Sequence, residues 1–208
     1  MTDTEGYKTI ASEAFAEILV KRSRFLGFGK PIKKASDAMF FLNLLKQEHR
    51  AARHHVYAYS LHLGGKTRYS DDAEPQGSAG LPILGVINSS ELYDCVIVVV
   101  RYFGGVLLGK SGLTTAYRNC AKATVESATI ISVYHSLKFK VNCNYKIYKK
   151  FQDFIIDLGG SIDNVVFLES VRLEFHVRKK FSDKIYEIFR SFGNNVSGLR
   201  VLDECFMG

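Results

Sequence analysis

Six apolar residues in a row, Cys95-Val96-Ile97-Val98-Val99-Val100, run into the glycine-rich stretch FGGVLLGKSGL, Phe103 to Leu113. A short apolar run bounded by turn residues reads as a buried strand, and Gly112 to Ala128 has the apolar spacing of a helix. Glycines 104, 105, 109 and 112 permit the tight turns that join the two. The same stretch spells Gly104-x-x-x-x-Gly109-Lys110-Ser111, the phosphate-loop pattern. A phosphate-loop NTPase places that loop after the first strand of a parallel sheet and needs further βα units, one ending in the acid that holds Mg²⁺. Here the residues that follow form a different unit, and the nearest apolar-apolar-Asp segment, Val201-Leu202-Asp203, falls in its last strand. Val106, Leu107 and Leu108 in the spacer read as core plugs, not as a phosphate cradle. The match is expected to be inert.

The last third of the chain parses as strand His135 to Asn144, helix Tyr145 to Leu158, strands Ile162 to Glu169 and Val171 to Arg178, a helix from Ser182 to Phe192 and a strand Leu199 to Phe206. That order is βαββαβ, the split unit of ferredoxin-like domains. Upstream, Phe15 to Val20 and Phe25 to Ile32 read as strands, Ser36-Asp37 opens a helix to Glu48, and Val56 to Leu63 reads as a strand. Gly64 to Gly80 reads as one long polar loop, the kind that carries function. A short apolar helix, Leu81 to Ile87, follows it.

The 208 residues carry a net charge of +7, in small basic groups over the whole chain, which favours a polyanionic partner such as RNA or the ribosome surface. No stretch has the ~20 apolar residues of a membrane span, and the start, MTDTEGYKTIASEAF, lacks the features of a secretion signal, so a cytoplasmic location without membrane contact is expected. Cys95, Cys120, Cys143 and Cys205 are far apart and read as buried free thiols.

Amide groups at the start of the helix after the glycine loop form an anion site, which Arg101 and Lys110 would reinforce; the alternative is that Gly104 and Gly105 only allow close packing. Asp71, Asp72 and Glu74 can converge on Mg²⁺ or act as acid and base, or they can cap the next helix and pair with Arg101. The structural and recognition role is favoured, because no nucleophile with an adjacent base is evident; no metal and no cofactor are expected. One of His54 and His55 should face inward and the other outward. Tyr57, Tyr59, Tyr69, Tyr102 and Phe103 can stack bases beside Arg53 and Arg101, or lie in a core.

The segments Asp71 to Gly80 and Val99 to Gly105, the latter continuing through Leu108-Gly109-Lys110-Ser111-Gly112-Leu113 to Ala116-Tyr117, closely resemble the signature blocks of the IMPACT/YigZ family. Lys21-x-Ser23-Arg24-Phe25 and Ala52-x-His54-x-x-Tyr57-Ala58-Tyr59 resemble its two weaker blocks. The chain departs from the family pattern with Ala73 for Gly, Ser78 for Thr, and Lys110-Ser111 for a small residue plus Gly; the last departure creates the phosphate-loop match. The resemblance implies an α+β chain. Residues 1–134 would form a two-layer α/β sandwich of the ribosomal-protein and GHMP-kinase type, and residues 135–208 a ferredoxin-like domain similar to those of elongation factor EF-G. It also implies a translation-associated regulatory role, since eukaryotic members act in translational control through the starvation-response kinase pathway. The candidate site residues read from the chain are Arg53, Arg101, Tyr102, Gly104, Gly105 and Lys110 for an anion or nucleic acid, Asp71, Asp72, Glu74, Gln76 and Gly77 for the polar loop, with His54 and Tyr57 beside them. RNA, the ribosome or a translation-related protein is the expected partner. An enzyme acting on a phosphorylated or anionic substrate at the Asp71/Arg101 cleft is the alternative.

Overall fold

The computed structural model describes residues 6–207; Met1 to Glu5, read above as part of the chain's start, and Gly208 lie outside the described residues. Contacts divide the chain into one unit of Tyr7–Ser132 and a second that runs from Val133 onward and includes Gly6.

The first unit is built on an antiparallel sheet in the order β2-β3-β6-β4-β5, where β2 is Ala14–Val20, β3 Ser23–Pro31, β4 His54–Ser60, β5 Thr67–Ser70 and β6 Cys95–Tyr102. The apolar run sits in the middle strand. Cys95, Ile97 and Val99 face α2 (Gly80–Ser89) and α3 (Gly109–Glu126), whereas Val96, Val98 and Val100 face α1 (Ala35–Glu48). Strand β4 divides in the same way, with Val56 and Ala58 on the first face and Tyr57 and Tyr59 on the second. The expected two-layer sandwich is therefore corrected to three layers, helices on both faces of the sheet. The physical reason is in the strands: a run with no polar face cannot leave one side in water.

Two expected boundaries also move. The long loop shrinks to residues 71–79, because Thr67–Ser70 pairs with β4 as an edge strand whose exposed, polar TRYS gave no apolar signal. Helix α3 begins at Gly109, three residues earlier than its periodicity indicates, and so takes in Lys110 and Ser111. Of the supposed core plugs only Leu108 packs on the core; Leu107 is 84% exposed.

In the second unit β7 (Ile130–Cys143, whose first three residues belong to the first unit), β9 (Val171–Arg178) and β8 (Ser161–Phe167) lie in that order and β10 (Val196–Met207) pairs with β7; β1 (Gly6–Ile10), which the sequence did not announce and which but for Gly6 belongs to the first unit, is the other neighbour of β7 in the strand order. Burial alternates strictly along β9, so one face carries Val171, Leu173, Phe175 and Val177 into a core with Phe151 and Ile155 of α4 (Tyr145–Asp157) and Ile185 of α5 (Ser182–Ser191). The other face is polar. No helix among the described residues is long and apolar enough to cross a membrane.

Candidate functional site

Where the apolar row of β6 ends, charge begins. Cys95, Ile97 and Val99 are followed on the same face by Arg101, and the strand register sets Phe25 of β3 and His54 of β4 on either side of it. Arg101 is 5% exposed, and a guanidinium so placed requires a counter-charge. Glu74, itself 7% exposed, reaches in from the loop before α2, and Arg101 Nη1 donates to its Oε1 at 2.6 Å. Tyr117 of α3 donates its hydroxyl to the same oxygen at 2.8 Å. Burial, with the Glu74 carboxylate second, pushes the Tyr117 phenol well above its ordinary range, so it stays protonated and keeps donating. The guanidinium also lies 5.4 Å from the Phe25 ring centre and 5.6 Å from that of Phe103. Its Nε is buried with no hydrogen-bond partner.

His54 completes this wall. Its Nδ1 is 2.7 Å from the Asp72 carbonyl oxygen, which can only accept, so Nδ1 carries the proton. Nε2 then stands 3.7 Å from Glu74 Oε1. Opposite lies the first turn of α3. Its N-cap residue is Leu108, whose side chain cannot accept, so no side chain caps the leading amide groups of the helix. Between them is a cleft of ≈ 360 Å³ whose lining includes Arg53, His54, Glu74, Arg101, Phe103 and Lys110. Arg53 is anchored by its amide to the Arg101 carbonyl at 3.0 Å and sets its guanidinium 5.7 Å from the Phe103 ring centre. Gly104 and Gly105 do not line the cleft; Gly104 is needed for close packing, because a Cβ there would stand 2.1 Å from the Arg22 carbonyl, and its amide donates to Ser23 Oγ. Gly105 turns at φ +82°.

The three acids of the polar loop go separate ways. Asp71 accepts from the amides of Gly77, Ala79 and Gly80 and so holds the start of α2. Asp72 accepts from the His55 amide at 2.6 Å and faces Lys46 at 3.7 Å. Only Glu74 enters the cleft. No group of three or more His, Cys, Asp or Glu able to hold a metal ion occurs among the described residues. Gln76 is exposed outside the cleft, and Gly77 supplies a turn at φ +72°. Ser78 is buried and bonds to the Pro75 carbonyl.

Other expected positions fall elsewhere. Tyr102 is one residue past Arg101 and so points to the opposite face, where it meets His49 Nδ1 at 2.9 Å; Tyr57 is buried on that face too. Neither belongs to the cleft, and of the aromatics considered for stacking only Phe103 lines it. His54 and His55 are both buried, because both faces of the sheet are covered. Tyr117 and Phe25 were not singled out by sequence; their signal was their place within the two blocks that hold Arg101 and Ser23.

The chain is thus α+β, with one sheet covered on both faces, a cleft lined by Arg53, Arg101 and Lys110 among apolar residues at the end of the central strand, and an uncapped helix start beside it. The Impact N-terminal domain profile matches residues 21–125. A Haemophilus influenzae IMPACT family member is 34% identical over 83% of each chain, and YigZ of Escherichia coli is 31% identical over 70% of this chain and 72% of its own. A solved crystal structure described as a hypothetical protein superposes with TM-score 0.65 at 25% identity, covering 96% of this chain and 97% of that one. The chain belongs to the IMPACT family.

Proposed function

We propose that this chain is a translation-associated regulatory protein that binds RNA or the ribosome, and that the Arg101 cleft takes a backbone phosphate. One observation carries the reading: a buried arginine, fixed by Glu74 and Tyr117, with an unpartnered Nε and facing an uncapped helix start. Such a group is oriented before the ligand arrives, so little ordering entropy opposes binding. Exposed Arg53 and Lys110 add charge at the rim, and Phe103, 39% exposed, offers a ring to an adjacent base. These features recognise phosphate and stacking, not a base sequence. The division into residues 1–134 and 135–208 is part of the same proposal. The sheet order β10-β7-β9-β8 supports a ferredoxin-like second domain.

The test is titration of labelled single-stranded RNA and purified ribosomal subunits into the full chain at salt concentrations from about 30 to 300 mM, where counterion release is resolved. Neutralising ~4–6 phosphates predicts a log-log slope of about −3 to −4. Arg53→Gln/Lys110→Gln should reduce that slope by about 1.4, two contacts' worth. An affinity indifferent to salt would reject the reading.

His54 favours a second reading, an enzyme acting on an anionic substrate in this cleft. With Nδ1–H fixed on a carbonyl, its Nε2 is the bare ring nitrogen, placed to take a proton from a ligand in the cleft. A small phosphorylated molecule retained by the purified chain, and lost in His54→Gln, would move the assignment to catalysis.

A further inference from the structure

One of the register shifts in the second unit's sheet bears on its polar face. Between the pairs Ser197↔Asn142 and Arg200↔Lys140, strand β10 uses three residues where β7 uses two, and Gly198 turns at φ +66° to fit the extra residue. The bulge opens a pocket of ≈ 350 Å³ lined by Lys140, Asn142, Arg172, Gly198 and Arg200. Its charges do not balance. Glu174 is divided between Lys140 at 3.1 Å and Lys138 at 3.6 Å, and Asp163 between Lys138 at 3.5 Å and His176 at 2.8 Å. That leaves Arg172, whose Nε donates to the neutral Asn142 Oδ1 at 3.4 Å, and exposed Arg200, which has no partner among the described residues. Lys140 and Arg200 also stand directly opposite each other across the ladder, and like charges so placed repel. With Oδ1 of Asn142 turned to Arg172, its Nδ2 lies on the Gly198 side of the pocket. The site therefore gathers donors from two guanidiniums, one ammonium and one amide, with no acid aimed at them but the shared Glu174.

We infer that this pocket is a second phosphate site, which takes a phosphodiester of single-stranded RNA. It rests on the RNA reading above and extends it from the first unit to the second. Guanidinium forks match phosphate oxygens in geometry as well as charge, and an anion here would offset the repulsion between Lys140 and Arg200. The pocket lies on an open sheet face, so a chain can pass through it instead of ending in it.

The experiment uses the full chain and a labelled oligouridylate. Arg172→Gln/Arg200→Gln should bind about 25-fold more weakly at about 0.1 M salt, converge on the parent near 1 M, and lower the salt slope by about 1.4. Arg172→Lys/Arg200→Lys should keep the slope. In the unsubstituted chain the Gly198 amide signal should shift on adding the oligonucleotide, a readout that needs no variant to fold. A Gly198 signal that responds to inorganic phosphate and not to RNA assigns the pocket to a free phosphate and overturns the inference. If the parent binds RNA and the sheet variant binds equally well, the inference fails while the cleft reading stands. If the parent binds no RNA, both fall.

Discussion

The two sheets solve the same problem, charge on a β-strand, in opposite ways. In the first unit the sheet is covered on both faces, and the guanidinium of Arg101 that continues its central row is closed in by Glu74, Tyr117 and Phe25. In the second unit one face is free of helices, and Lys138, Lys140, Glu174, Asp163 and His176 form a partly exposed network there. The difference teaches where a single pair matters. Water screens the open network, so each of its pairs is exchangeable, whereas the buried pair has no substitute for either partner.

The largest contrast should come from removing one acid in each setting. Glu74→Gln leaves Arg101 buried and uncompensated, and denaturant unfolding should show a loss of about 3–5 kcal/mol. Glu174→Gln, on the open face, should leave the unfolding midpoint where it was. Equal losses would mean that the two sheets do not differ as described.

A smaller contrast lies in the turns. Left-handed positions of the second unit are glycines, Gly159, Gly193 and Gly198, whereas those of the first include Asp72 at φ +45° and Ala73 at φ +65°. Alanine is strained there, so Ala73→Gly should stabilise by about 1 kcal/mol, against the usual direction for glycine. An unfolding midpoint that drops would show that the loop gains more from a stiffer unfolded chain than it loses in strain.

Next is a dependence on pH. Burial pulls the His55 imidazole below its ordinary value, with Asp72 opposing and Lys46 assisting. The unfolded chain then takes up this proton more readily than the folded one. His55 contributes full stability above about pH 6.5, and that contribution declines as pH falls further. A His55→Gln variant should flatten that part of the stability profile; an unchanged slope would assign the acid sensitivity to other groups. The least disruptive comparison uses the thiols. Burial raises Cys95 and Cys120 to about 12 and Cys143 to about 11, whereas Cys205 is partly exposed, so a thiol reagent on the native chain should label Cys205 first.

Periodicity made the second unit's strands and helices legible, because one face of each is apolar and the other polar. It was blind to β1 and β5, whose pairing is set by neighbours and not by any pattern of their own. Covered strands misled it differently: the alternation of Val56 and Ala58 with Tyr57 and Tyr59 separates two buried faces, so alternation there could not tell core from surface. At the candidate site, opposite charge made the meeting of the polar loop with Arg101 legible. What sequence could not show was parity. Tyr102 looked equal to Arg101 in the linear block, yet one residue of offset sends it to the other side of the sheet.

The central claim is that the cleft above Arg101 receives a phosphate at the start of α3. Amide spectra of the full chain, recorded as an oligouridylate is added at low salt, test this most directly. The account predicts that Gly109, Lys110 and Ser111 shift together with the Phe103 ring signals, and that raising the salt reverses both. Shifts elsewhere with these signals unmoved would contradict it.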